Sequence, residues 1–466
     1  MNSTNVRTLT LSSFLFLLVM FTGCKKEFTS SAGSSQKAVQ SESNEAAQIT
    51  VNVKDYGAKG DGVTDNVDAF QAAEDFVSSK GGGTVYVPAG VYIVSKAFYH
   101  RNFVTLTGDG DKSIIRNKVS SPQGPDQFCI YIGNFAPSTY AECVHYDGYG
   151  IYSGSTQLKL KSSSNASSFF VGQAVLVDSK SGFMSDDGHW KPYVALISRV
   201  KAIDVNNGII TLEDGVTTNI PDVQIAPTNK FISGIKNDTS KVYICQKPVI
   251  KNIRFESLGD WTMRFGVYKG WFENISMKTT DVIGGNGFSY CTFKNIRAEF
   301  SQKVIEMAMY SHNSTVDGLT ATWYDGAIDS AMKPLLKMGE NQRDCSYSNL
   351  TINSGKGKYF GMCMRFEHAF NNKIFNCYFQ CPTIAQDGVE LSASGDDSRV
   401  TGNEVSNNSF VLGNTDYYIK VENTYSGAIV NGNKVTGNTF SGTIRKKYVV
   451  IKTSENNTIQ SNTYLK

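Results

Sequence analysis

Seven charged side chains and two histidines recur at comparable places in a series of short alternating segments towards the C-terminus. They are Glu306, Lys337, Arg365, Glu367, Glu390, Lys420 and Glu422, with His312 and His368 just past segment ends. The segments are Ile305-Glu306-Met307-Ala308-Met309-Tyr310, Leu336-Lys337-Met338-Gly339, Met362-Cys363-Met364-Arg365-Phe366-Glu367, Val389-Glu390-Leu391-Ser392 and Ile419-Lys420-Val421-Glu422. Period-two alternation predicts half-buried strands, with Met307, Met338, Met364, Leu391 and Val421 inward and the charged set outward. Stacked strands lie about 4.8 Å apart and residues two apart on one strand about 6.7 Å, so acids and bases on neighbours come within reach of one another.

Two chemistries follow. A carboxyl pair such as Glu390 and Glu422, on adjacent strands and offset by one outward position, approaches the roughly 6.5–9.5 Å separation of an inverting glycoside hydrolase. Lys337, Arg365 and His368 offer instead a base for a carbon-bound proton beside a carboxyl group and a cation for the charge that develops. Glu367 and Glu390 would orient them. Glu306, Tyr310, His312, Lys420 and Glu422 then become candidate substrate-binding groups. The competing reading is a solvated face whose opposite charges pair across strands, each pair worth little.

These strands need a scaffold that stacks them, and a second repeat supplies it. An Asn followed by alternating residues recurs as Asn252-Ile253-Arg254-Phe255, Asn274-Ile275-Ser276-Met277 and Asn295-Ile296-Arg297-Ala298. It returns as Asn349-Leu350-Thr351-Ile352, Asn376-Cys377-Tyr378-Phe379 and Asn407-Asn408-Ser409-Phe410, with a degenerate copy at Asp317-Gly318-Leu319-Thr320. The steps are about 22, 21, 22, 32, 27 and 31 residues, the range of solenoid repeats. No single unit can bury its apolar face alone, so the units must stack.

Upstream, Thr64 or Asp65 is placed to cap a helix whose apolar stripe is Phe70, Ala73 and Val77, with Gly81 to stop it. Such a helix covers the open end of a strand coil, whose bare edges would otherwise invite aggregation. The run Asp55-Tyr56-Gly57-Ala58-Lys59-Gly60-Asp61-Gly62-Val63-Thr64-Asp65, followed by Gly81-Gly82-Gly83-Thr84-Val85-Tyr86-Val87-Pro88-Ala89-Gly90-Val91-Tyr92, resembles the opening of the pectate lyase-like superfamily. That superfamily includes pectate lyase-, rhamnogalacturonase- and epimerase-like proteins and phage tailspikes. The close resemblance covers about residues 50 to 115, and the Asn-led units extend it loosely. It implies an all-β fold, a right-handed parallel β-helix, and action on polysaccharides through an outward strand face. The expectation is cleavage of a uronate-containing polysaccharide, leaning to β-elimination. A glycoside hydrolase and a non-catalytic glycan-binding or adhesion protein are the alternatives, and epimerisation a minor fourth. Polygalacturonase-like hydrolases combine Asn-Thr-Asp, Asp-Asp, Gly-His-Gly and Arg-Ile-Lys. Here only Gly395-Asp396-Asp397 resembles one of these elements, which argues against a pectin hydrolase of that type. Asp396 and Asp397 are also the candidate ligands for Ca2+.

The expected organisation is a signal peptide over 1–23, a flexible tether over 24–48, and an N-terminal cap with first coil turns over 49–119. A β-rich insertion over 120–247 and the stacked rungs over 248–466 complete it. The insertion loop Ser185-Asp186-Asp187-Gly188-His189-Trp190-Lys191-Pro192-Tyr193 offers Trp190 as a sugar-stacking residue. Arg7 and the apolar run Phe14 to Phe21 precede Phe21-Thr22-Gly23-Cys24, which resembles a bacterial lipobox with Cys24 as the lipidated residue. Phe21 stands where Leu is usual. The expectation is an exported outer-membrane lipoprotein, touching the membrane through its lipid anchor only. The 466 residues carry a net charge of +3 and no basic run interleaved with aromatics, which excludes an electrostatic nucleic-acid binder. Beyond Cys24 eight cysteines remain, and the placing of Cys291 and Cys377 inside strand phrases points to buried thiols rather than disulfides.

Overall fold

Each Asn-led phrase begins at a corner. Asn252, Asn274, Asn295, Asn349, Asn376 and Asn407 all take left-handed backbone with φ between 52° and 56°, which Asn enters more readily than other non-glycine residues. In the degenerate copy the strand register sets Gly318, not Asp317, level with Asn295 and Asn349. Gly318 takes the same corner, at φ 73°.

After each corner the apolar residues turn inward and stack on themselves. Ile253, Ile275, Ile296, Leu319 and Leu350 are buried, as are Phe255, Met277, Ala298, Ala321 and Ile352. Further along, Phe379, Phe410 and Phe440 stack face to face at 4.9 and 4.6 Å between ring centroids. Inside the coil, Asn403 and Asn433 each donate both the backbone N–H and the side-chain amide to the Oδ1 of the Asn one rung on, at 2.9–3.0 Å. Asn408 and Asn438 do the same in a parallel ladder. These ladders satisfy backbone groups at bends where strand pairing lapses.

The strands form a 24-stranded sheet whose pairings are all parallel, residue i of one rung lying beside its counterpart on the next. The architecture is a right-handed parallel β-helix, the hand that parallel crossovers take. These features come from a computed structural model. It describes residues 49–118, 128–133, 144–180, 195–228, 243–257, 263–308, 310–323, 334–355, 361–382, 386–393, 399–423, 427–452 and 456–465. No described helix is long and apolar enough to cross a membrane.

The helix Val67–Ser79 packs Phe70, Ala73 and Val77 onto the coil. Phe70 meets Phe98 and Tyr92 at 4.9 and 5.7 Å between centroids. Its N-cap residue is Asn66, whose amide is engaged with Lys59, Thr64 and Ile93, so Asp65 accepts the Val67 N–H instead, at 3.3 Å. In the strand Asp61–Asp65 before it, the Asp61 carboxylate accepts from the Val63 and Thr64 N–H groups and the Thr64 hydroxyl, which hold it down to about 2. A Cβ on Gly60 would lie 2.9 Å from the Gly90 Cα. The motif that carries the resemblance is therefore a folding device.

A six-stranded antiparallel sheet is inserted between the early coil strands and the later rungs. Its strands are Tyr146–Asp147, Gln157–Lys159, Ala174–Ser179, Ala195–Asp204, Ile209–Leu212 and Val223–Pro227. It has its own core, centred on Val175, Val177, Val200, Ile210 and Ile225. The seven described cysteines are buried and unpaired; Cys24 and Cys143 lie outside the described residues.

Candidate functional site

The strands Thr292–Ala308, Leu336–Arg343, Met362–Phe370, Asp387–Ala393 and Ser409–Asn423 bring one row of charges into direct register. Glu306 lies beside Lys337, Lys337 beside Arg365, Arg365 beside Glu390, and Glu390 beside Lys420. Beneath them Met307, Met338, Phe366, Leu391 and Val421 form the matching inward row, and Met364 is buried one step away, beside Leu336 and Val389.

The charges compensate along the row. Lys337 Nζ is 3.2 Å from Glu306 Oε1, and Lys303 also contacts Glu306. Arg365 reaches Glu367 at 3.5 Å and Glu390 at 3.9 Å, while Lys420 approaches Glu390 at 3.4 Å. Glu422, two positions along from Lys420, contacts it and also Lys452 at 2.8 Å. Burial would raise the Glu422 carboxyl, but Lys420 and Lys452 outweigh it and hold it below the usual range.

Compensation is incomplete where the row is most enclosed. Glu390 is 4% exposed, yet among the described residues its Oε2 has no hydrogen-bond partner, and neither do Arg365 Nε, Ser392 Oγ and Asp387 Oδ1. Buried polar atoms are normally paired, and four unmet ones on two adjacent strands make this stretch of the row the candidate site.

Asp387 was not among the residues singled out from sequence. It is 4% exposed, and burial, followed by the neighbouring Glu390 carboxylate, pushes its carboxyl up to about 7. Counting back by two from Leu391 and Val389 puts Asp387 inside. The strand defeats that count by turning a corner: a Cβ on Gly388 would meet the Tyr418 carbonyl at 2.7 Å and Leu412 at 2.8 Å. Gly388 and Val389 therefore both face the core, as do Tyr418 and Ile419 on the next rung. The signal in the sequence was the glycine beside the aspartate.

Two expected binding residues are turned to another task. Tyr310 and His312 do not lie on the charged face; both are buried where the inserted sheet meets the coil. The Tyr310 hydroxyl donates to Asp178 at 2.6 Å, and His312 Nε2 accepts the Ile197 N–H at 3.1 Å. Burial pushes the His312 imidazole down to about 4. Their neighbour Lys269 binds Glu213 and Asp214 of the insertion at 3.0 and 2.9 Å. Burial would raise Glu213, but Lys269 and Arg199 hold it down to about 2. His368, expected past a strand end, lies within Met362–Phe370 at an irregularity in the pairing, with φ 51°, and is buried. It is not a surface base. Glu306, Lys337, Arg365, Glu367, Glu390, Lys420 and Glu422 do come together. Trp190, Cys24, Asp396 and Asp397 lie outside the described residues. Among the described residues no three His, Cys, Asp or Glu side chains are grouped to hold a metal ion.

Residues 50–131 match the family described as rhamnogalacturonase A/epimerase, pectate lyase-like. Over those residues the chain is similar to that family, and the fold it takes is the right-handed parallel β-helix. The matched segment ends well before the charged row, so it speaks to the fold and not to the reaction. Alginate lyase 7 of Azotobacter vinelandii is 66% identical over 44 residues, 9% of this chain and 5% of that protein. The preneck appendage protein of Bacillus phage PZA is 42% identical over 72 residues, 16% of this chain and 8% of that protein. The chain thus spans under a tenth of either relative. Among solved structures, the mannuronan C-5 epimerase AlgE6 A-module of Azotobacter vinelandii is 15% identical, with a TM-score of 0.42 over 89% of this chain and 98% of that one. A tailspike variant of E. coli bacteriophage HK620 is 15% identical, with a TM-score of 0.47 over 89% and 62%.

Proposed function

We propose that this pectate lyase-like chain cleaves a uronate-containing polysaccharide by β-elimination on the row from Glu306 to Lys420. The observation that carries the reading is Lys337 and Arg365 side by side on neighbouring strands, with Arg365 Nε unmet beside Glu390. The substrate carboxylate pairs with Arg365, whose planar fork matches it. Lys337, reacting as the unprotonated amine, takes the proton from the carbon alpha to that carboxylate and becomes the ammonium paired with Glu306, and the charge that develops is spread onto the carboxylate and held by Arg365. The electron pair then forms the ring double bond as the glycosidic C–O bond breaks. Asp387, neutral up to about pH 7, supplies the proton that the departing oxygen needs. Glu306 positions the Lys337 amine, and Glu367 and Glu390 hold the Arg365 guanidinium.

The short match to an alginate lyase supports this substrate class. Incubation with alginate, pectate and other uronate polymers is expected to raise the ultraviolet absorbance of an unsaturated uronate. Chain shortening without that absorbance would reject elimination. A second reading, hydrolysis, is favoured by Asp387 itself: a carboxyl titrating near neutrality beside the Glu390 carboxylate has the character of a general acid. In that case reducing ends appear without unsaturation and are lost in Glu422→Gln or Glu390→Gln.

The same reading puts the enzyme on the outer membrane, anchored through lipidated Cys24. Metabolic labelling with a fatty acid is expected to mark the native chain and not Cys24→Ser; equal labelling of both would reject the anchor.

A further inference from the structure

A groove of about 550 Å³ runs along the Asn corners and includes none of the charged-row residues. Its floor is a row of amides. Asn295 Nδ2 donates to Asn274 Oδ1 at 3.2 Å, and Asn274 Nδ2 to Asn252 Oδ1 at 3.1 Å. Each amide nitrogen carries two protons, so the row keeps one N–H per rung for the groove. The row is broken at Gly318, which brings no amide to Asn295 Oδ1; a Cβ there would lie 3.1 Å from that oxygen. One rung further, Asn349 is turned aside to Asp317 Oδ1 at 2.6 Å. The break leaves an open acceptor beside Arg297 and Thr320 in the groove lining.

The wall is Asp111, on a three-residue widening of its strand where Gly110 and Ile114 pair with residues only one apart, Ile253 and Arg254. Arg297 NH2 binds Asp111 Oδ2 at 2.6 Å, yet Arg297 remains 68% exposed. A hydrogen bond with Ser276, then Arg297, holds the Asp111 carboxyl below the usual range. The groove lining contains no second carboxylate, so it lacks the acid pair that hydrolysis requires. Four rung steps separate Asn252 from Asn349, about 19 Å at the spacing of stacked strands, a length that spans several sugar rings.

We infer that this groove is a second, non-catalytic binding site for an extended acidic oligosaccharide. The amide row takes ring hydroxyls, a hydroxyl completes the row over Gly318, and Arg297 takes a carboxylate. The inference rests on the proposed glycan class but not on the cleavage reaction. Two sites on one chain raise the retention of a polymer without any new contact at the charged row.

The test is calorimetric titration of an alginate hexasaccharide into the full chain carrying Lys337→Ala, so that no cleavage intervenes. Gly318→Asn is then added. Asn already occupies this corner on six other rungs, so the variant continues the row and fills the gap without a new backbone conformation. Two sites are expected, with Gly318→Asn or Arg297→Ala weakening one of them at least tenfold. Cleavage of a short oligosaccharide in the Lys337 background is expected to survive both changes. Binding that neither substitution alters overturns the groove. If a single site is found and Gly318→Asn removes it, the groove stands and the charged row is rejected as a glycan site.

Discussion

Arg365 Nε and Glu390 Oε2 lie across neighbouring strands at 3.9 Å, and neither atom has a hydrogen-bond partner among the described residues. Two opposite charges this near one another would normally close to hydrogen-bonding distance. Here each side chain also has another partner, Glu367 for Arg365 and Lys420 for Glu390, and the gap stays open. Arg365→Lys keeps the charge but removes the fork. Turnover is expected to fall by about 10²–10³, the usual effect of losing one donor to a developing anion. The melting temperature should shift little, because Lys420 still faces Glu390. Undiminished turnover on the same polymer would remove Arg365 from the mechanism.

Asp387 links stability to pH. Its folded carboxyl titrates at about 7 against 3.8 for the ordinary group, so between these values the unfolded chain loses the proton first. Stability therefore falls as pH rises from about 4 to about 7, by at most ~4 kcal/mol for a shift of this size. Asp387→Asn should raise the melting temperature near pH 8 and leave it unchanged near pH 4, while lowering activity at both. Thermal unfolding across that range checks the sign.

His312 carries the opposite dependence. Nε2 accepts from Ile197, so Nδ1 bears the proton directed at Asn313 Oδ1, 2.9 Å away, and the ring is neutral. A second proton would abolish the Ile197 bond. With a folded value of about 4 against 6.5, the contribution is full above pH 6.5 and is lost as pH falls through about 4. Protection of the Ala195–Asp204 strand against hydrogen exchange, taken relative to the intrinsic rate at each pH, should fall over that interval in the native chain. In His312→Ala that protection should be low at every pH. Protection indifferent to pH in the native chain would show that His312 does not hold the insertion down.

The inner Asn ladder should be costly to break. Asn403 donates to Asn433 and to the Ala369 carbonyl, and its Oδ1 accepts two N–H groups from Asn372 at 3.0 and 3.1 Å. Asn403→Leu fills the space but leaves those groups unpaired, at roughly 1–3 kcal/mol for each buried group stranded. Denaturant unfolding measures the loss. A change below about 0.5 kcal/mol, the range of an ordinary surface substitution, would mean that the ladder is decorative.

What could be read from the chain follows from what is local and periodic. Alternation put Glu306, Lys337, Arg365, Glu390 and Lys420 on one side of their strands. A parallel stack keeps equivalent positions level, so the register between rungs came with it. The recurring Asn marked off the rungs, and the structure shows why that residue recurs: it stands at a corner in left-handed backbone, where few other residues sit comfortably. Period two fails, however, where a strand bends. That is why Asp387 was overlooked: Gly388 and Val389 both turn inward, a placement fixed by Leu412 and the Tyr418 carbonyl on the following rung.

Tyr310 and His312 mark the other boundary. In the sequence they stand beside a charged strand segment and look available, whereas the fold brings Asp178 and Ile197 against them from more than a hundred residues away. The groove over Gly318 is likewise invisible until Asn252, Asn274 and Asn295 are stacked and the widening at Asp111 stands beside them. The sequence by itself determined the stacked coil and the outward row, because those depend on each residue and its near neighbours. Only the tertiary structure decided which outward residues are enclosed, which carboxyl is driven towards neutrality and which surface is open. Burial and electrostatic environment belong to the assembled rungs and to no single one of them.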